Sequence, residues 1–82
     1  NYSYDDLDLL VNNGAVIKTT KITSEFSWNQ YVELYQYTGI PLFAINPKNV
    51  IHIISPDSNV SIVSGWSVIA LVSSQNIIDI LK

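Results

Sequence analysis

The sequence predicts one α+β domain with a mostly antiparallel sheet, in which a strand and a helix precede a four-strand meander and the helices pack on one side. Three observations favour this class. The chain has 82 residues, too few for two separate cores. Helical patterns occur near its start, near its middle and at its end. Between residues 40 and 72, short apolar runs alternate with turn signals rich in Pro, Asn, Asp, Ser and Gly.

The first two predicted elements are a short helix and an edge strand. Ser3 suits a helix N-cap, the acids that follow suit the positive end of a helix dipole, and Asn12-Asn13-Gly14 ends the segment. Three apolar residues are expected to share one face of this helix: Tyr4, Leu7 and Val11. Residues 15–22, AVIKTTKI, are rich in β-branched residues. Their two lysines point to opposite faces, which is typical of an edge strand near solvent.

The second helix has the clearest start signal. Ser27 and Gln30 have the spacing of a capping box, and Phe26 before the cap can pack on Tyr31, as in a hydrophobic staple. An apolar stripe with helical spacing is expected to lie on the sheet, formed by Trp28, Tyr31, Val32 and Tyr35. Gly39 is predicted to end the helix.

The rest of the chain predicts four strands, at residues 40–45, 50–55, 60–63 and 66–72, and a short final helix around residues 77–81. Turns are expected at residues 46–49, 56–59 and 64–65. The last strand is apolar on both faces, so it is predicted to be interior. The stripe of the second helix would cover one face, and a further layer, in this chain or in another subunit, would cover the other.

Composition excludes several classes of function. The net charge is −3, with four lysines and no arginine, so nucleic acid is not an expected partner. The longest nearly apolar window is too short to cross a bilayer. There is no cysteine, hence no disulfide framework or thiolate metal site, and the absence of methionine indicates a piece of a longer protein. Because 48% of residues are hydrophobic and 13% charged, the domain is expected to cover part of its surface with a copy or a neighbour.

No catalytic, metal or cofactor site is predicted, because the single histidine has no cysteine to activate and no partner at ligand spacing. Three residues are candidates for a ligand or interface contact. His52 is either a pH sensor or a histidine at the rim of a sheet, satisfied by water or a carbonyl. Trp66 either stacks on a ligand or twin subunit or begins an inner strand as a core aromatic. Lys48 lies in a turn with free backbone amides that suits a weak anion contact or is simply a turn.

Six short strings follow one another between residues 14 and 73: GAVIKTTKIT, FSW at a helix start, IPLFAI, a Pro-Lys-Asn turn, VIHIISPD and SGWSVIALV. In this order they resemble the C-terminal soluble domain of bacterial cation:proton (sodium/hydrogen) antiporters, which is related to the TrkA C-terminal family of potassium channels and transporters. Many members have Gly-Asp before the last strand, whereas this chain has Gly65-Trp66. The resemblance therefore does not carry a polar ligand contact over to position 66.

The resemblance implies a small α+β regulatory domain at residues 14–82, with residues 1–13 as the trailing helix of a preceding segment. It implies a non-catalytic role on the cytoplasmic side of the membrane, pairing as a homodimer, and attachment to the transmembrane antiporter domain of the same parent chain. A small molecule, an ion or a proton would be the effector. The alternative is a structural or adhesive interaction domain cut from a larger surface protein.

Overall fold

The computed structural model describes residues 2–55 and 57–82, which form three helices and one four-stranded sheet. The elements, in chain order, are α1 (Tyr4–Asn12), β1 (Val16–Lys21), α2 (Trp28–Leu34), β2 (Gly39–Ile45), β3 (Ile51–Ile53), β4 (Ser67–Val72) and α3 (Ile77–Leu81). The strand order is β1-β4-β2-β3, and all neighbouring strands are antiparallel. The predicted α+β class is confirmed, and β1 is an edge strand as expected.

Helix α1 begins as predicted but buries a different face. The backbone N–H of Asp6 donates to Ser3 Oγ at 3.1 Å, and the Asp6 carboxylate accepts from the Ser3 N–H, which completes a capping box. Leu10 is fully buried and Leu7 is partly buried, whereas Tyr4 is 81% exposed. The expected face of Tyr4, Leu7 and Val11 is therefore wrong. The helix docks through Leu7 and Leu10, which are three residues apart and lie on one stripe.

Helix α2 forms where its capping box predicts. Gln30 N–H donates to Ser27 Oγ at 3.3 Å, and the ring of Phe26 meets that of Tyr31 edge-on, with centroids 6.1 Å apart. Two details of the prediction are wrong, because Val32 is exposed and the helix ends at Leu34. Gly39 instead begins β2, where a Cβ would lie 2.9 Å from the Cβ of Tyr35. Glycine at this position permits close approach of the strand to the end of α2.

Strand β4 lies in the interior of the sheet, as its apolar sequence predicts. Val68 and Ala70 are fully buried on the face that packs under α2, together with Tyr31. Leu71 is buried on the opposite face, in a cluster that includes Leu10 of α1 and Ile77 of α3. The helices therefore lie on both faces of the sheet, not on one side as predicted. Helices α1 and α3 of this chain therefore supply part of the second layer that was expected to cover β4.

The predicted strand at residues 60–63 does not form, and the later strands do not form a meander, because β4 pairs with β2 and β1 and not with β3. The reason lies in the strand order. Since β4 lies between β1 and β2, the connection from β3 at the sheet edge has to pass over β2 instead of turning back beside β3. This connection packs on the α2 side, where Ile62 is buried in the core. The predicted turn at residues 56–59 begins at Pro56, which lies outside the described residues.

Candidate functional site

Two of the three candidate residues lie together on the α2 side of the sheet. His52 is the central residue of β3 and pairs with Ala44 of β2. Trp66 immediately precedes β4 and packs against the core cluster that includes Tyr31 and Val68. Their ring centroids are 5.3 Å apart, with 40° between the ring planes. The structure therefore brings His52 and Trp66 into contact, and Trp66 is partly buried beside the core at the start of an inner strand.

His52 has an unusual polar environment. Its Nε2 is shielded from solvent and has no hydrogen-bond partner within the described residues. Leaving a buried polar nitrogen unpaired costs about 1–3 kcal/mol. No backbone carbonyl among the described residues accepts from or faces this nitrogen at hydrogen-bond distance. On the Nε2 side, the imidazole is therefore positioned by packing contacts such as that with Trp66 and not by a hydrogen bond.

Lys48 lies apart from this contact, on an exposed turn between β2 and β3. The side-chain oxygen of Asn46 accepts from the backbone N–H of Lys48 at 2.9 Å and of Val50 at 3.0 Å. Two backbone amides that an anion would use are therefore already occupied. The turn also supports the Gly-Trp pair, because a Cβ at Gly65 would lie 3.3 Å from Pro47 Cγ. Its geometry favours a structural turn over an anion site.

The aromatic cluster beneath α2 is also structural. Tyr31 is 1% exposed and stacks on Trp28, with centroids 5.4 Å apart. Burial, with a smaller contribution from Tyr35, raises the pKa of Tyr31 to about 12. Lys18 on β1 donates to the hydroxyl of Tyr35 at 2.9 Å and lies 5.5 Å from the centre of its ring. In the described part of the chain, no three His, Asp or Glu side chains converge as metal ligands.

The main unexplained feature is on the other face of the sheet. Lys18 contacts Tyr35 and Val68 packs under α2, so the residues that alternate with them, Thr19 and Ile69, point away from α2. Strand pairing extends this face across the sheet in two rows. We call it the open sheet face, and it consists of Thr19, Ile69, Phe43 and Ile53 in one row and Lys21, Ser67, Ile45 and Ile51 in the other.

The open sheet face is apolar and exposed. Ile53 is 68% exposed, Ile51 63% and Phe43 38%. Helices α1 and α3 pack around Leu71 and Ile40, which belong to the next row of the same face, and they leave these two rows uncovered. Lys21 is the one charged residue in the two rows. Lys18 lies on the α2 side, and no Asp or Glu lies on any of the four described strands.

Part of this surface could have been found from the sequence. Phe43 and Ile45, and Ile51 and Ile53, alternate with Ala44 and His52 at the spacing of a strand face. What the sequence does not show is that the helices leave this part of the sheet open. That depends on where α1 and α3 dock.

An apolar cleft of about 550 Å³ lies between α1 and the bulged part of β2. Its lining contains no charged residue and consists of Tyr2, Leu7, Ile40, Pro41, Leu42, Ile54 and Ser55. None of the three candidate residues lines it. The cleft has the hydroxyl groups of Tyr2 and Ser55 but no acid-base pair.

Comparison with known proteins gives no match to a family model, to a curated protein or to a solved structure. Among residues 2–55 and 57–82, no helix has the length and apolar character needed to cross a membrane.

Proposed function

We propose that this chain is a non-catalytic regulatory and dimerisation domain that works on the cytoplasmic side of a membrane cation:proton antiporter. The antiporter, as the transmembrane part of the same parent chain, is suggested by the ordered resemblance of residues 14–73. The observation that carries the role in association is the open sheet face.

An antiparallel sheet with one solvated face normally presents polar side chains to water. Here the solvated rows carry Ile51, Ile53 and Phe43, whose exposure supports a missing covering layer. Burying apolar surface stabilises by about 25 cal/mol per Å². Covering this face with a second layer would therefore be favoured by the hydrophobic effect, which supports a role of the domain in association.

Regulation would act through the relative orientation of two copies. An effector shifts such an equilibrium only if it binds the two orientations unequally, and couplings of about 1–3 kcal/mol change activity several-fold. Strand β3 offers the shortest connection, since His52 lies on its α2 side and Ile51 and Ile53 lie on the open sheet face. A ligand or proton that moves His52 would shift the backbone that also carries the association surface.

Two measurements test this proposal. Sedimentation velocity at about 1–100 µM should show a concentration-dependent dimer, because a small apolar contact is typical of weak, transient association. Thermal denaturation with a panel of nucleotides and of mono- and divalent cations should identify an effector by a raised Tm. A monomer at every concentration together with an unchanged Tm would remove the proposal.

The antiporter context has a separate test in the parent gene. Ten or more hydrophobic spans upstream of the domain are expected for an antiporter. A secretion signal and β-rich repeats would instead support the structural or adhesive domain of a surface protein, for which the same open face would bind a foreign partner.

A further inference from the structure

We infer that two copies of this chain stack their open sheet faces against each other about a two-fold axis next to Phe43. The inference rests on the proposed self-association and names its surface. Three properties of the face support it: the distribution of apolar residues, the position of its single charge and its area.

The apolar residues of the face are concentrated on one side. The two inner strands contribute Ile69, Phe43 and Ile45, and β3 adds Ile51 and Ile53. The polar residues lie towards β1, as Thr19, Lys21 and Ser67. Two sheets that pack face to face interdigitate such apolar side chains in a layer about 10 Å thick. The two-fold axis lies between the two sheets and runs along β2 beside Phe43. It places the apolar half of each copy over the apolar centre of the other.

The position of Lys21 selects this axis over one near β1. Strands are about 4.8 Å apart, and β1 lies two strands from β2, so an axis at β2 separates the two Lys21 residues by roughly 19 Å. That distance exceeds the Debye length of about 8 Å at physiological salt, so their repulsion is screened. An axis at β1 would instead bring the two ammonium groups together in the contact.

The area of the face matches a weak, specific dimer. Taking about 180 Å² for a large apolar residue, Ile51, Ile53 and Phe43 expose roughly 300 Å². Ile45, Ile69 and Ser67 are half-buried and add less, so the contact lies at the small end of specific interfaces, below about 1,200 Å² in total. Contacts of this size are typical of weak, transient association.

The sheet edges are poorer alternatives for association. The outer edge of β1 carries Lys18 and Lys21, and lysines on an edge strand oppose strand addition. The other edge, β3, has three residues and can form few ladder hydrogen bonds. The face therefore offers a better surface for a second copy than either edge.

The test compares three lysine substitutions at exposed apolar positions. Ile53→Lys places a charge in the apolar half of the face, Val16→Lys places one on the β1 edge, and Leu34→Lys places one on α2, away from the sheet face. All three side chains are mostly exposed, so the fold should survive, and circular dichroism checks it. Sedimentation velocity should show that Ile53→Lys weakens dimerisation at least tenfold, whereas Val16→Lys and Leu34→Lys associate like the wild type.

A dilution series followed by amide NMR gives a second readout without substitution. Amides of β2 and β3 should shift on dissociation, and those of α2 should not. If the wild type dimerises but Ile53→Lys dimerises equally well, or if α2 amides shift in place of those of β2 and β3, the surface is wrong although self-association stands. If the wild type remains monomeric throughout, the surface fails, and the proposed function fails with it when the effector panel also leaves the Tm unchanged.

Discussion

The imidazole of His52 and the indole of Trp66 pack together at 5.3 Å, across the connection between β3 and β4. This contact joins the edge strand of the sheet to the start of its interior strand. It leaves Nε2 of His52 buried without a hydrogen-bond partner among the described residues.

Replacing His52 with leucine should therefore not destabilise the fold. The His52→Leu variant removes the unpaired nitrogen and keeps an apolar contact with Trp66, so the free energy of unfolding should rise by about 1 kcal/mol. Urea denaturation measures it, and Trp66→Ala, which removes the packing partner, should instead lose about 3 kcal/mol. A loss of more than about 1 kcal/mol in His52→Leu would contradict an unpaired Nε2 whose removal stabilises the fold.

Tyr31 should make stability depend on alkaline pH. Its pKa rises from 10.0 to about 12 on folding, so between these values the unfolded chain loses a proton that the folded chain retains. The contribution of protonated Tyr31 to the free energy of unfolding is complete below pH 10. It is lost as the pH rises towards 12, and the free energy of unfolding falls by up to about 2 kcal/mol. Denaturant titrations across this range should show the loss in the wild type and in Tyr37→Phe, an exposed control. Tyr31→Phe should lack this component, and an unchanged slope in that variant would contradict the assignment.

The N-cap of α2 should contribute measurably to stability. Ser27→Ala removes the acceptor for Gln30 N–H and should cost about 1 kcal/mol. Ser24→Ala, at an exposed position three residues earlier, should change the free energy of unfolding by less than about 0.5 kcal/mol. Equal effects of the two variants in urea denaturation would argue that the capping box is not formed.

Gly65 should tolerate a side chain less well than Gly14. Both have positive φ, +99° and +92°, so alanine at either position is strained and should cost about 1 kcal/mol. At Gly65 the new Cβ would also press on Pro47 at 3.3 Å, whereas Gly14 faces open space. Thermal denaturation should therefore give a larger loss for Gly65→Ala than for Gly14→Ala. The reverse order would mean that the β2–β3 turn does not pack on Gly65.

The sequence predicted elements whose signals are local. The N-cap at Ser3 and the capping box at Ser27 locate the starts of α1 and α2, and β-branched residues with two lysines identify β1 as an edge strand. Its errors concern tertiary packing. Which face α1 buries depends on where it docks, and helical spacing alone allows both Leu7–Val11 and Leu7–Leu10.

The candidate site was predictable in the same limited way. Trp66 and His52 were selected as residue types, but their contact follows from strand order, which short turns do not reveal. The expected strand at residues 60–63 fails for that reason, since an apolar segment that passes over a sheet has the same composition as a strand. The open sheet face is likewise a result of helix placement.

The order β1-β4-β2-β3 also determines when the molecule can fold. β1 hydrogen-bonds to β4 alone within the described sheet, so no strand pairing joins it to the β2–β3 hairpin until residues 67–72 have been made. On the ribosome, the nascent chain would expose β1 and the hairpin as separate pieces for most of its synthesis. Assembly then depends on contacts between distant parts of the chain, which makes folding slower than in a domain built from local hairpins.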